Sequence, residues 1–443
     1  QLPQDYPFKT LLDEQNNLLV TGYNVNNDFF TEKYPSTGGN YIWRNPFPNP
    51  GKDRGMDIVE HYDTVAYTQY VYATGYIYNS ALNCNDIILI KYNGEDGDTL
   101  WTRKISDGRD SKAFGIALDN DKNIYIAGFS TNKYSMKSDI ITMKYNPAGV
   151  LLWSSIYNNA NYNSDDVGTH ILIDDNFVYV TGYTYQGATN KNDVVILTYN
   201  QDKGDLSLLP QLFVDKGNQI PTSFIITELY VASIPAAKSR MAVGCVSDNA
   251  VNNNQTDFLT LCFGSDTANT LRWARKFNGA GNGEDVPTAI AKDNDGNVFV
   301  TGYSFNGIIN NLDYASMKYS KFDGQDLWNS AVAYFDNQGG NDKASSIKIG
   351  NNNTVYIAGE SERAETGFIV NAYNQENNIL TNDWSDEFNP VFDIIKEDHT
   401  TPLKKGSRVD IDNLGNIFLT VFTWNSNGAS YAIRKYDQNG QIL

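Results

Sequence analysis

Cysteine and histidine are both scarce in this chain, with three of each in 443 residues. Three cysteines cannot make a disulfide framework. Cys245 and Cys262 flank one loop at almost equal distance, which leaves two readings open, a cross-strand bridge or unrelated buried thiols. Cys84 is left over either way. His61, His170 and His399 lie far apart in sequence, with no metal-ligand spacing. GxSxG, HExxH, P-loop and CxxC motifs are all missing, which removes the familiar hydrolase, zinc-protease, nucleotide and dithiol signatures. No apolar run is long enough to span a bilayer as a helix. Basic blocks are missing too. The chain carries 34 Lys and Arg against 52 Asp and Glu, a formal charge of −18. Phosphate neutralisation needs a basic stripe, so nucleic acid is excluded as a partner. An acidic surface favours solubility and cation association.

What is present is a repeat. Residues 123–153 read NIYIAGFSTNKYSMKSDIITMKYNPAGVLLW, and 297–328 read NVFVTGYSFNGIINNLDYASMKYSKFDGQDLW. The core of that unit recurs as LLVTGY (18–23), VYATGY (71–76), IYIAGF (124–129), VYVTGY (178–183), MAVGCV (241–246), VFVTGY (298–303), VYIAGE (355–360) and IFLTVF (417–422). The copies stand roughly 57 residues apart, a period that signals a repeat architecture. Each unit holds four short segments rich in β-branched and aromatic residues, bounded by Asn, Asp and Gly, the mark of strands. Apolar residues run consecutively in them, so these strands must be covered on both faces. No amphipathic helix is available to cover them. Sheets of successive units must cover one another, as four-stranded blades do in a propeller.

The expected fold is therefore all-β, a single β-propeller over 1–443 with eight four-stranded antiparallel blades, and seven blades as the fallback. The blade repeats fall at about 6–50, 56–106, 112–158, 166–215, 222–278, 286–335, 343–389 and 406–443. Gly22, Gly75, Gly128, Gly182, Gly244, Gly302 and Gly359 end the core motif, where another backbone must approach closely. Trp43, Trp101, Trp153, Trp273, Trp328 and Trp384 occupy one slot in the fourth strand and read as plugs between neighbouring blades. Units four and eight lack that Trp, and unit eight has Val421 in place of the glycine.

With DNDGNVFVTGY (293–303), SDIITMKY (138–145) and AGVLLW (148–153) in hand, the unit resembles the SBBP β-propeller repeat of secreted and surface proteins of bacteria. That resemblance covers the whole chain and implies architecture rather than activity. The chain opens QLPQDYPF at Gln1, as signal-peptide removal would leave it. A secreted, cell-surface-associated protein is the expectation. The repeats also resemble cargo of the type IX secretion pathway of Bacteroidota, which implies a C-terminal sorting region beyond Leu443.

Long second-to-third loops and blade-to-blade connections share one face, the usual place for function on a rigid scaffold. Four of those loops begin alike, at GYIYN (75–79), GYTYQ (182–186), GYSFN (302–306) and VFTWN (421–425), and carry Tyr78, Tyr185, Phe305 and Trp424. These rings either form an aromatic crown for a sugar or a protein, or pack loop on loop. Asp28, Asp86, Asp139, Asp193, Asp257 and Asp313 precede the third strand, while Asp110, Asp166, Asp285 and Asp342 precede or approach the first. The latter four are the calcium candidates. The competing reading is that each fixes a turn by accepting backbone N–H groups.

The functional expectation is a binding or scaffolding module that takes a glycan, or another cell-surface or outer-membrane protein, within a larger surface assembly. No catalytic residue and no cofactor other than calcium is nominated, so the chain reads as a non-enzyme. The alternative is a propeller enzyme with an axial site, since KYSKFDGQDLW (318–328) also resembles quinoprotein dehydrogenases. Those enzymes in many members have an adjacent Cys-Cys pair, which this sequence lacks.

Overall fold

Strands covered on both faces, and no helices among the described residues, are what a computed structural model of the chain shows. It describes residues 5–37, 40–106, 108–188, 191–228, 240–248, 255–264, 271–305, 307, 311–330, 332–337, 339–362, 367–376, 379–388, 404–425 and 428–443; the side chains of 5, 228, 376, 379–380, 388, 404–406, 422–425 and 428–431 lie outside that description. The fold is an eight-bladed β-propeller. Seven sheets have four antiparallel strands in sequential order, and the eighth has three, with a bridge from Tyr436 to Ile442 marking a rudimentary fourth. By contact density the chain forms two compact units, one comprising residues 1–185, 195–210 and 426–430, the other 186–194, 211–425 and 431–443.

Burial follows the sequence pattern. In the second strand of the third blade (Ile124–Thr131), five consecutive residues are buried, because blades two and four cover its two faces. Full burial of such side chains is worth ~1.5–3 kcal/mol each. The Trp slot locks one blade to the next. Trp43 Nε1 donates to Gly94 O at 2.9 Å, Trp153 Nε1 to Gln201 O at 2.8 Å and Trp384 Nε1 to Gln438 O at 3.2 Å. Each of these rings is roofed by a turn glycine of the following blade, Gly97, Gly204 and Gly440, all with left-handed φ.

The Asp of the first hairpin and the Lys ending the third strand also have a structural explanation. Asp13, Asp119, Asp293 and Asp412 each bind a backbone N–H of their own turn, and each meets the Lys of its own sheet: Lys33 at 3.0 Å, Lys144 at 3.5 Å, Lys318 at 3.2 Å and Lys435 at 3.6 Å.

The core-motif glycines are needed for space and not for a left-handed backbone, since none of them has a positive φ. In seven blades the first strand carries a bulge opposite that glycine: register shifts fall at Pro7/Lys9, Gly55/Asp57, opposite Ala127/Gly128, and at Gly168/His170, Pro221/Ser223, Pro287/Ala289 and Ala344/Ser346. An extra residue bends the bulged strand toward its partner. A Cβ at Gly75 would lie 1.9 Å from Arg54 O, one at Gly128 1.9 Å from Lys112 O, and one at Gly302 2.0 Å from Val286 O. The eighth blade has Val421 there, and its first two strands pair without a shift.

Cys245 and Cys262 are not bridged, which decides between the two readings in favour of unrelated buried thiols. They lie on adjacent strands, but Cys245 pairs with Leu259 and Cys262 with Ala242. A separation of three rungs puts the two side chains on opposite faces of the sheet, where no disulfide can close. Burial pushes the Cys245 thiol well up, so it stays protonated and inert.

Candidate functional site

The bulge has a chemical consequence at the loop end of blades two and three. The carbonyls pressed against Gly75 and Gly128 belong to Arg54 and Lys112, the cations that open the first strands of those blades (Arg54–Asp63 and, beginning one residue earlier, Ser111–Leu118). Each cation lies over the ring that follows the glycine in the blade before it. Arg54 sits 3.4 Å from the Tyr23 ring centroid, and Lys112 Nζ 4.9 Å from that of Tyr76. Tyr6 stacks on Tyr23 at 4.5 Å to continue the ladder. The same geometry occurs in the other unit, where Lys343 Nζ lies 4.7 Å from the Tyr303 ring.

Beside Arg54 and Lys112 the surface opens into a cleft of about 380 Å3, lined by Gly51, Lys52, Arg54, Tyr76, Tyr78, Asn85 and Lys112. Three cations and two phenol rings converge there on a chain whose net charge is −18. Arg54 is held by Nη1 on Asp53 O at 2.7 Å and Nη2 on Asn27 Oδ1 at 3.2 Å. Lys112 meets Asp110 Oδ2 at 3.5 Å on the rim. Burial raises the Tyr76 hydroxyl above its ordinary value, opposed by Arg54, so at neutral pH it is a neutral donor. The arrangement can hold an anionic group between cations while a ring supports an apolar face.

Of the four aromatics expected in a crown, Tyr78 borders this cleft. It is half-buried, covers Gly51, and donates its hydroxyl to Asn83 Oδ1 at 2.6 Å. Tyr185 is half-buried edge-on to Tyr162 at 6.2 Å, and Phe305 lies on Gly281 and Gly283. Each of the three packs on the connection that enters its own blade. The side chain of Trp424 lies outside the described residues. The sequence reading passed over Arg54, Lys112 and Tyr76. The available signal was the cation that opens a first strand, GRDSK (108–112) and KDRG (52–55), matched to the aromatic after the preceding glycine.

Register also sorts the aspartates. Asp166 pairs with Thr184, Asp285 with Ser304 and Asp342 with Ser361, one step before the residues that match Arg54 and Lys112. Asp53 occupies the same slot in blade two, and Ser111 holds it in blade three, hydrogen-bonded to Ser130 at 2.9 Å. Asp110 is thus one residue outside the set. Slot carboxylates staple the incoming connection. Asp166 Oδ2 accepts from Asn159 N at 2.7 Å, Asp285 Oδ2 from Gly279 N at 2.6 Å and Asp342 Oδ2 from Asn337 N at 2.6 Å. Asp53 and Asp285 also take the amides of Tyr78 and Phe305, at 2.7 and 3.1 Å. Burial is the main cause that pushes the carboxyls of Asp53 and Asp166 up to about 6 and that of Asp193 up to about 7.

No family model matches the chain, and no curated protein matches it. Among solved structures, Sqt1 of Saccharomyces cerevisiae is 9% identical with a TM-score of 0.53, covering 98% of each chain. A PL25 ulvan lyase bound to a GlcA–Rha3S saccharide is 8% identical with a TM-score of 0.47, over 98% of this chain and 92% of its own. Polysaccharide lyase Uly1 is 12% identical with a TM-score of 0.46, over 83% and 88%. Identities this low show the fold alone. The expectation of a non-enzyme is withdrawn, because solved propellers of this fold include polysaccharide lyases and the fold by itself excludes no activity. Among the described residues no helix is long and apolar enough to cross a membrane.

Proposed function

We propose that the chain is a secreted or cell-surface carbohydrate-binding propeller, and that the cleft of blades two and three takes an anionic glycan segment. One observation carries this reading: Lys52, Arg54 and Lys112 converge with the Tyr76 and Tyr78 rings in a cavity of about 380 Å3 on an otherwise acidic chain. Pockets of a few hundred Å3 with a few convergent polar groups are the size that small ligands fill. A uronate or sulfated sugar offers both features the cleft asks for, an oxyanion for the cations and a C–H face for a ring. A neutral sugar offers only the second.

The test is calorimetric titration of the full chain with an oligouronate and with a neutral oligosaccharide of equal length. Binding of the oligouronate, weakening as salt is raised, is expected, since exposed charges are screened over about 8–10 Å. Equal affinity for both sugars, or salt-independent binding, would overturn the anionic reading. Analysis of the same mixtures by size shows whether the bound chain is also shortened.

A further inference from the structure

A second site lies in the other unit, where the sixth blade meets the seventh. Asp313, Asp336 and Asp342 each place a carboxylate oxygen within 4.8 Å of the others. Asp313 opens the third strand of blade six, Asp342 the first strand of blade seven, and Asp336 stands in the connection between them. Asp313 and Asp342 are buried, while Asp336 is exposed and so leaves a path to solvent. Asp28, Asp139 and Asp257 likewise face the slot carboxylates Asp53, Asp166 and Asp285 of the next blade, but among the described residues only Asp313 and Asp342 gain a third carboxylate.

A buried carboxamide bonded to Asp313 has an unpartnered oxygen beside the cluster. Asn311 is 4% exposed; its Nδ2 donates to Asp313 Oδ1 at 3.0 Å and to Gly340 O at 2.9 Å, yet its Oδ1 meets no donor. Asp342 is fully buried, its Oδ2 takes Asn337 N at 2.6 Å, and Ser361 is its other hydrogen-bonding neighbour. A buried amide oxygen left unpaired costs about 1–3 kcal/mol unless something supplies positive charge.

We infer that Asp313, Asp336, Asp342 and the Asn311 carboxamide form a calcium site that clamps blade six to blade seven. Every candidate donor is a hard oxygen, with no nitrogen or sulfur in the set, which selects calcium or magnesium over transition metals. Calcium fits better than magnesium, because its flexible shell accepts carboxylates held on two strands and a connection, whereas magnesium demands a near-ideal octahedron. Three carboxylates and one amide oxygen supply four of the six to eight ligands calcium takes, and water reaches the remainder from the Asp336 side.

Calcium chloride titrated into the full chain, after treatment with chelator, tests the site by calorimetry and by thermal melting. Asp336→Asn is the informative variant. It keeps the Oδ1 that accepts Gly339 N at 2.7 Å, and so leaves the turn intact. The wild type is expected to bind one equivalent of calcium at this site and to melt higher with it. Asp336→Asn is expected to melt with the wild type in chelator, to bind calcium at least tenfold more weakly there, and to lose most of the thermal shift. No binding by the wild type, or a thermal shift that Asp336→Asn retains in full, would overturn the site. Neither result depends on whether the blade-two cleft binds a glycan.

Discussion

Blades one to seven and blade eight solve the same packing problem in opposite ways. In the first seven, a glycine on the second strand faces a bulged first strand; in six of them a Cβ added there would reach 1.9–2.2 Å from a backbone carbonyl. In blade eight, Val421 fills the slot, is fully buried among Val409, Leu419 and Tyr356, and faces an unshifted pairing. Glycine and bulge therefore come as a pair. Where the bulge occurs, the carbonyl pressed into the glycine's empty space belongs to the residue that opens the site, Arg54 in blade two and Lys112 in blade three. Bulges re-aim side chains, and in these two blades the re-aimed residues are the cations of the cleft.

The strongest way to break that comparison is to put a side chain where the bulge needs none. Gly75→Val should cost more than about 4 kcal/mol, the range reserved for severe steric change. Denaturant unfolding would read it as a fall in midpoint, or as no folded protein. A cost near that of a surface substitution would mean that the bulge can relax and that the pairing rule is wrong.

The next effect comes from the buried carboxyls at the blade junctions. Asp53 and Asp166 at about 6 and Asp193 at about 7 lie above the ordinary value of 3.8, so the fold favours their protonated forms. Their contribution is complete below pH ~4 and is lost as pH rises through 6–7, at about 1.4 kcal/mol for every tenfold by which burial weakens each acid. In chelator, thermal melting should rise on going from pH 7.5 to 5.5; Asp53→Asn should flatten part of that slope. A melting point that falls over the same range in the wild type would contradict the assignment. A smaller effect is expected in blade eight, where Val421→Ala removes two buried methyl groups and should cost about 1–2 kcal/mol. Stabilisation by that substitution would show that Val421 is itself strained.

The sequence made the repeat plain because its signals are local. The Thr/Ala-Gly core, the Asp of the first hairpin and the fourth-strand Trp each recur within one unit, and the structure gives each a contact. The site was harder to read because its parts come from different units and depend on register. Lys112 and Tyr76 meet across two blades, and nothing within one repeat links them. Asp110 resembled the slot aspartates by position along the chain, yet Ser111 holds the slot and Asp53, passed over, belongs to it. Asp336 sits in a connection that has no place in the repeat, so its approach to Asp313 and Asp342 could not be counted from the period. Cys245 and Cys262 were left open for the same reason: equal distance from a loop does not say which face of a strand each residue occupies.

The most direct test of the account sets Lys112 against its counterpart Lys343. Both open the first strand of a blade, both lie over the ring of the preceding one, and only Lys112 lines the described cleft. Calorimetric titration of oligouronate into Lys112→Ala and Lys343→Ala should show affinity reduced about tenfold or more for the first, as loss of a charge-assisted contact predicts, and unchanged for the second. Equal losses, or none in Lys112→Ala, would mean that the cleft of blades two and three is not where this protein binds.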